Sequence, residues 1–363
     1  MKIVLLVAGS RAGAEFFQSL LDGSHQVCQF PGWIQYDKKF KEILNLRNPE
    51  EIAESFLKNY SFYFNSSQSS HERHNQLGKT KNQYYVVDQD KFKSNFIELI
   101  SKEKLSNFNI FKFLHLAYAK TNNQDIFKIK ILLANIHLVK YCQEFVKDFN
   151  SEEGIEIVHT IRNPLSGVGS PVNNWLKYKN GSLFKPSSFI YHFNLVVNGI
   201  SDLVKLKKEI RIIQLEKLHR ENLKIMKEFC EIYDLEYIDH MKESTFLGKL
   251  WWGDAVSGKD LNGVNQNFKI SVPEKLFFKK DIQLLEKLTE NIIKVYQYEF
   301  IGDRRENIFF FLPMKIELLV MLNSLKNFKF FDFLTAPYFW FKRIKILLSA
   351  RRNNIKMPYT LGS

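Results

Sequence analysis

Along the chain, short unbroken apolar runs alternate with segments in which apolar residues recur at helical spacing. Ile3 to Ala8 is apolar throughout, the pattern of a strand buried on both faces of a parallel sheet. Gly9 to Gly13 reads as a turn, and Ala14 to Asp22 as a helix with Phe16, Phe17, Leu20 and Leu21 on one face, ended by Gly23. A second strand is predicted over Gln26 to Phe30, stopped by Pro31-Gly32. Asp37 to Lys120 is mostly helical, broken by a Ser/Asn/Gln-rich interval from Asn65 to Asn82 expected to be a surface loop. Beyond it come a strand within Ile126 to Ile136, a helix over Leu138 to Phe149 and a strand over Ile155 to Ile161. A helix over Phe189 to Lys208, a strand over Ile210 to Leu215 and a helix over about Arg220 to Tyr233 follow. A Gly/Asn-rich loop then runs from Trp251-Trp252 to about Asn267, and one amphipathic helix spans Asp281 to Tyr298. Strands alternating with helices predict an α/β fold, a central mainly parallel sheet flanked by helices, over residues 1–300, with a helical insertion at about 37–120.

Charge sets the last part of the chain apart. The whole sequence of 363 residues has 52 Lys+Arg and 39 Asp+Glu, a net +13. Residues 301–363 hold eleven Lys/Arg against four Asp/Glu, together with nine Phe and Trp340. This region is read as a helical, basic and aromatic C-terminal extension. Its composition suits an anionic membrane surface, and no nucleic-acid recognition motif accompanies it. No apolar stretch reaches the roughly 20 residues needed to cross a bilayer. Cys28, Cys142 and Cys230 are far apart, with no metal-ligand spacing, so neither a disulfide framework nor a metal site is expected; a reduced, cytoplasmic setting is.

Two segments have the chemistry of anion binding. Gly9-Ser10-Arg11-Ala12-Gly13-Ala14-Glu15 joins the first strand to the first helix, where glycines permit a tight path and Arg11 supplies a planar cation. It lacks the Lys-Ser/Thr pair of nucleoside-triphosphate loops, which disfavours a small-molecule kinase. The second segment is Arg162-Asn163-Pro164, at the end of the strand finishing at Ile161. Pro164 suits the start of a helix, and Ser170 lies eight residues past Arg162, about two turns along that helix.

Together, the Gly-Ser-Arg-x-Gly loop after strand one and the Ile-Arg-Asn-Pro segment with its Ser eight residues on resemble the two phosphate-binding elements of sulfotransferases that use 3′-phosphoadenosine 5′-phosphosulfate. Glu216, Leu218 and Cys230 stand where that family's later strand and helix carry comparable residues. The resemblance covers roughly residues 1–30 and 130–300 and implies a P-loop-like sulfotransferase architecture. It implies that Ser10, Arg11, Ala12, Gly13, Ala14 and Glu15 face the 5′-phosphosulfate, and that Arg162 and Ser170 hold the 3′-phosphate. Ala14 and Glu15 replace two residues that are often hydroxylic in the family; a Glu15 carboxylate in the first helical turn is compatible with the helix and free to turn to solvent.

Arg11 and His137 are the implied catalytic residues. His137 ends an apolar strand and has a side chain suited to removing an acceptor proton near neutral pH. Asp37 and Glu42 are alternative bases, His115 reads as a core residue, Lys259 as a further phosphate contact or a solvated loop lysine, and Trp251 and Trp252 as core. The implied reaction moves a sulfuryl group, without a metal, to a hydroxyl of a carbohydrate or lipid-linked acceptor such as a glycolipid. A non-catalytic nucleotide-binding or membrane-surface module is the alternative.

Overall fold

The computed structural model describes residues 1–68, 73–177, 185–253, 260, 263–270, 274–302, 311–350 and 357–362. The α/β class expected from the sequence is what the structure shows. Its core is a six-stranded, all-parallel sheet, built from β1 (Lys2–Ala8), β2 (Val27–Cys28), β3 (Ile131–His137), β4 (Ile155–Ile161), β5 (Ile210–Gln214) and, far along the chain, Tyr359–Thr360, in the order β2-β3-β1-β4-β5 and then Tyr359–Thr360. β1 lies centrally between β3 and β4, and Val4 to Val7 have no exposed surface, which is why that run carries no polar residue.

The first ten helices are α1 (Ala14–Leu20), α2 (Lys38–Leu44), α3 (Pro49–Asn59), α4 (Gln89–Ile100), α5 (Asn107–Thr121), α6 (Val139–Asp148), α7 (Pro164–Lys177), α8 (Pro186–Val204), α9 (Leu215–Arg220) and α10 (Asn222–Ile232); α1, α5, α6 and α9 pack on the sheet, and α2 to α4 pack on one another and on α5. After a small hairpin of β6 (Thr245–Phe246) and β7 (Lys249–Leu250) come α11 (Lys279–Leu288), α12 (Glu290–Val295) and a helical hairpin of α13 (Lys315–Lys326) and α14 (Phe330–Ala350); Tyr359–Thr360 is β8. A second apolar cluster joins α7, α8 and α11 to this hairpin through Val168, Phe193, Leu285, Ile316 and Leu347, so the basic extension is packed onto the body.

Three expectations need correction. The second strand is only two residues long, because the carbonyls of Phe30 and Gly32 accept hydrogen bonds from the Gln18 side chain at 2.7 and 3.0 Å, tying that segment to α1 instead of extending the ladder. The helix predicted over Asp281 to Tyr298 breaks at Thr289, whose hydroxyl donates to the Leu285 carbonyl at 2.7 Å, a back-bond that bends helices. The interval Asn65 to Asn82 is no simple surface loop. His74 and Leu77 within it are fully buried, and Gly78 donates to Leu250 while accepting from the Trp252 indole.

Candidate functional site

The chain passes from β1 to β2 and β3 on one side, then crosses to β4 and β5 on the other. The carboxyl ends of β3, β1 and β4 therefore meet where the strand order reverses, the place where open parallel sheets form a ligand crevice. Each end supplies one of the singled-out segments: His137 from β3, the loop Gly9 to Gly13 from β1, and Arg162 from β4.

The β1 loop is locked by close approach. The Gly9 N–H donates to the Thr160 carbonyl at 2.7 Å, and a Cβ at Gly9 would lie 2.4 Å from that same oxygen, which no side chain tolerates. Gly13 adopts φ 76° at the start of α1, and a Cβ there would meet Leu215 at 2.5 Å. Among the described residues no side chain caps α1. Arg11 is half-buried with φ 48°, whereas Ser10, Ala12 and Ala14 are buried. The Ser10 hydroxyl donates to the Gly167 carbonyl of α7 at 2.5 Å and sits 2.9 Å from His192 Nδ1 of α8. A hydroxyl has one proton to give, so Nδ1–H of a neutral His192 is the donor in the second bond. Burial, then the charges of Arg11 and His137, push the His192 pKa down to about 3, which keeps the ring neutral.

Arg162 brings the two loops together. Its Nη1 donates to the backbone carbonyl of Arg11 at 3.2 Å, and its Nε is buried with no hydrogen-bond acceptor among the described residues. Burial lowers its pKa, Glu216 and Tyr298 act in the opposite sense, and Arg11 adds to the lowering. Glu216 is the one carboxylate among these influences. Its Oε1 accepts from the Asn163 N–H at 2.8 Å and its Oε2 from the Tyr298 hydroxyl at 3.1 Å, so it also fixes the backbone just after Arg162. A small cavity of about 20 Å³, with Gly9, Ser10, Arg162 and Gly167 in its wall, lies beside the guanidinium. Ser170 is half-buried on α7.

His137 occupies unusual backbone. The pairing of β1 with β3 runs from Leu6 with Asn135 to Val7 with His137, skipping Ile136, so a bulge re-aims the end of β3. The Leu138 N–H donates to the Ile136 carbonyl at 2.7 Å across His137, whose φ is 64°, a tight turn of a rare kind. Such strain concentrates at functional positions. The imidazole is half-buried, 5.3 Å from the Trp33 ring.

Other expected residues fall elsewhere. Glu15 is buried and within electrostatic reach of Tyr63, not turned to solvent, because α1 is buried along its whole length. Asp37 caps α2 by accepting from the Phe40 N–H at 3.0 Å, and Glu42 forms an exposed pair with Lys38. His115 is a core residue bonded to the Phe111 carbonyl, its pKa pushed down to about 4 by burial. Trp251 packs on Phe246, and Lys259 lies outside the described residues. Sequence reasoning missed His192, Trp33 and Tyr298. For His192 the one signal was a titratable residue within the mostly apolar run from Phe189 to Val197.

No protein-family model and no curated protein matches the chain. Among solved structures it is similar to the sulfotransferase domain of the Synechococcus PCC 7002 olefin synthase, at 10% identity and TM-score 0.42, covering 82% of this chain and 95% of that one. It is also similar to the sulfotransferase domain from the curacin biosynthetic pathway, at 15% identity and TM-score 0.43, covering 83% and 98%.

Proposed function

We propose that the protein is a sulfotransferase that binds 3′-phosphoadenosine 5′-phosphosulfate across the ends of β1 and β4 and delivers the sulfuryl group to a hydroxyl of a carbohydrate or lipid-linked acceptor. The observation that carries this reading is the half-buried Arg162, whose Nη1 is bonded to the Arg11 carbonyl and whose buried Nε has no acceptor among the described residues. Arg11 lowers the Arg162 pKa by like charge, and Glu216, which opposes that, already accepts from the Asn163 N–H and the Tyr298 hydroxyl, so an anion at Arg162 relieves repulsion. In low dielectric that relief is large, so the residues fit a bisphosphorylated nucleotide. The cavity beside Arg162 holds a group of about water size, so the nucleotide body has to lie along the open strand ends.

In this arrangement Arg162 and Ser170 hold the 3′-phosphate, and the loop Ser10 to Glu15 backs the 5′ side. The Ser10 hydroxyl bonds inward, leaving its backbone to face the donor. Arg11 neutralises charge that grows on the leaving phosphate as the bond from sulfur to phosphate oxygen breaks and the bond from sulfur to acceptor oxygen forms. The acceptor's proton passes to the His137 imidazole.

The test is transfer from radiolabelled donor to fractionated glycolipids and oligosaccharides. The His137→Ala variant is expected to lose about 100-fold or more of the transfer rate while its affinity for the bisphosphate product, read by calorimetry, stays within about twofold, a change of under half a kcal/mol. Undiminished transfer by that variant would place the proton acceptor elsewhere. Nucleotide binding with no transfer by the unaltered protein would favour a non-catalytic module.

A further inference from the structure

The α13–α14 hairpin carries an exposed apolar stripe on each helix. On α14, Phe331, Leu334, Tyr338, Phe341 and Leu348 recur at steps of three, four, three and seven, which puts them on one face, with Lys345 filling the gap. Phe331 is 78% and Leu334 73% exposed. On α13, Leu318, Leu322 and Leu325 repeat at steps of four and three and are also exposed. The turn between the helices adds Phe328, 82% exposed, and the first residue of α14 adds Phe330. An almost wholly apolar pocket of about 220 Å³, with Phe189, Val320 and Trp340 in its wall, reaches the surface at Leu318 and Pro337 and continues this patch inward. Contiguous apolar surface on this scale marks an interaction site.

The hairpin is held firmly where it leaves the body. Arg343, wholly buried, donates from Nε to Glu317 at 2.8 Å and from Nη2 to the Leu312 carbonyl at 3.0 Å. The Lys315 N–H donates to Asp281 of α11 at 2.8 Å. The stripe is thus a face of a fixed projection.

Charge identifies the partner. With Arg343 and Glu317 neutralising each other, the remaining charges between residues 311 and 350 are Lys315, Lys326, Lys329, Lys342, Lys345 and Asp332. Lys342 reaches over the Tyr338 and Phe339 rings at 4.6 and 5.3 Å, pairing a cation with the aromatic edge of the stripe. Lysines beside exposed Phe, Leu and Tyr form an interfacial pattern, rings among the acyl chains and ammonium groups among anionic headgroups. A second copy would set lysines against lysines. We propose that the α13–α14 hairpin docks the protein on membranes containing anionic phospholipid, with the stripes of both helices entering the interface.

The test is co-sedimentation of the full chain with vesicles of phosphatidylcholine alone and of phosphatidylcholine mixed with phosphatidylglycerol, alongside light scattering without lipid. The protein is expected on the anionic vesicles and released from them by salt. The Phe331→Ser/Leu334→Ser variant should bind at least about tenfold more weakly. The Lys326→Gln/Lys342→Gln/Lys345→Gln variant should lose the preference for anionic lipid; every position changed is exposed, and circular dichroism checks that both variants fold. No vesicle binding by the unaltered protein, or equal binding by the first variant, overturns the proposal. So does lipid-free self-association abolished by Phe331→Ser/Leu334→Ser, which would assign the stripe to a second copy.

Discussion

Arg162→Gln is expected to weaken binding of 3′-phosphoadenosine 5′-phosphate by about 100-fold, since losing one partner of a buried, hydrogen-bonded charge pair costs about 3 kcal/mol. Calorimetry in the presence of a chelator measures it. Arg162→Lys should fall between, because a lysine keeps the charge but loses the planar fork that reaches the Arg11 carbonyl and an anion together. The lysine variant also separates binding from folding, since Gln would leave Glu216 without its cationic neighbour while Lys would not. If both variants bind like the unaltered protein, Arg162 does not hold the phosphate.

The second large effect is acid lability. Four histidines, the buried His115 in α5, His159 in β4 and His219 in α9 and the half-buried His192 in α8, are held neutral chiefly by loss of solvation, His192 at a pKa of about 3 and the others at about 4. Arg162 adds to the lowering at His219, whose ring stacks between Phe16 and Phe268. An unfolded histidine titrates near 6.5, so below that pH the unfolded chain binds protons that the native state refuses, and stability falls as pH drops. Above about 6.5 the term is silent. Near pH 5 each such group costs up to about 2 kcal/mol, and four together rival the 5–15 kcal/mol that holds a typical domain. Burial raises the pKa values of Asp281 and Glu317, whose protonation works in the opposite sense and offsets part of the loss. The melting temperature should therefore fall steeply between about pH 6.5 and 4.5 in scanning calorimetry; a flat profile over that window would contradict the burial of neutral imidazoles.

What could be read from the sequence was local. Six apolar residues in a row mark β1, Pro164 marks the first residue of α7, and His137 and Arg162 stand at predicted strand ends, so spacing put them at the sheet's edge, while the resemblance to sulfotransferases singled them out as site residues. What could not be read depends on contacts far apart in the chain. Ser10 meets His192 from 182 positions away, and Glu216 reaches back 53 positions to the Asn163 N–H. The bulge that re-aims His137 arises from pairing with β1, not from any residue near it. Likewise the tail's composition announced its basic, aromatic character, but only the packing of α14 on α8 shows which rings are left outside.

If two arginine-bearing loops grip opposite ends of one adenylate, removing one phosphate from the ligand must weaken its binding sharply. Calorimetric titration in chelator should show 3′-phosphoadenosine 5′-phosphate binding at least about 100-fold more tightly than adenosine 5′-phosphate, the loss of one charge-assisted contact worth about 3 kcal/mol. Equal affinities, or tighter binding of magnesium-ATP than of either, would contradict the account.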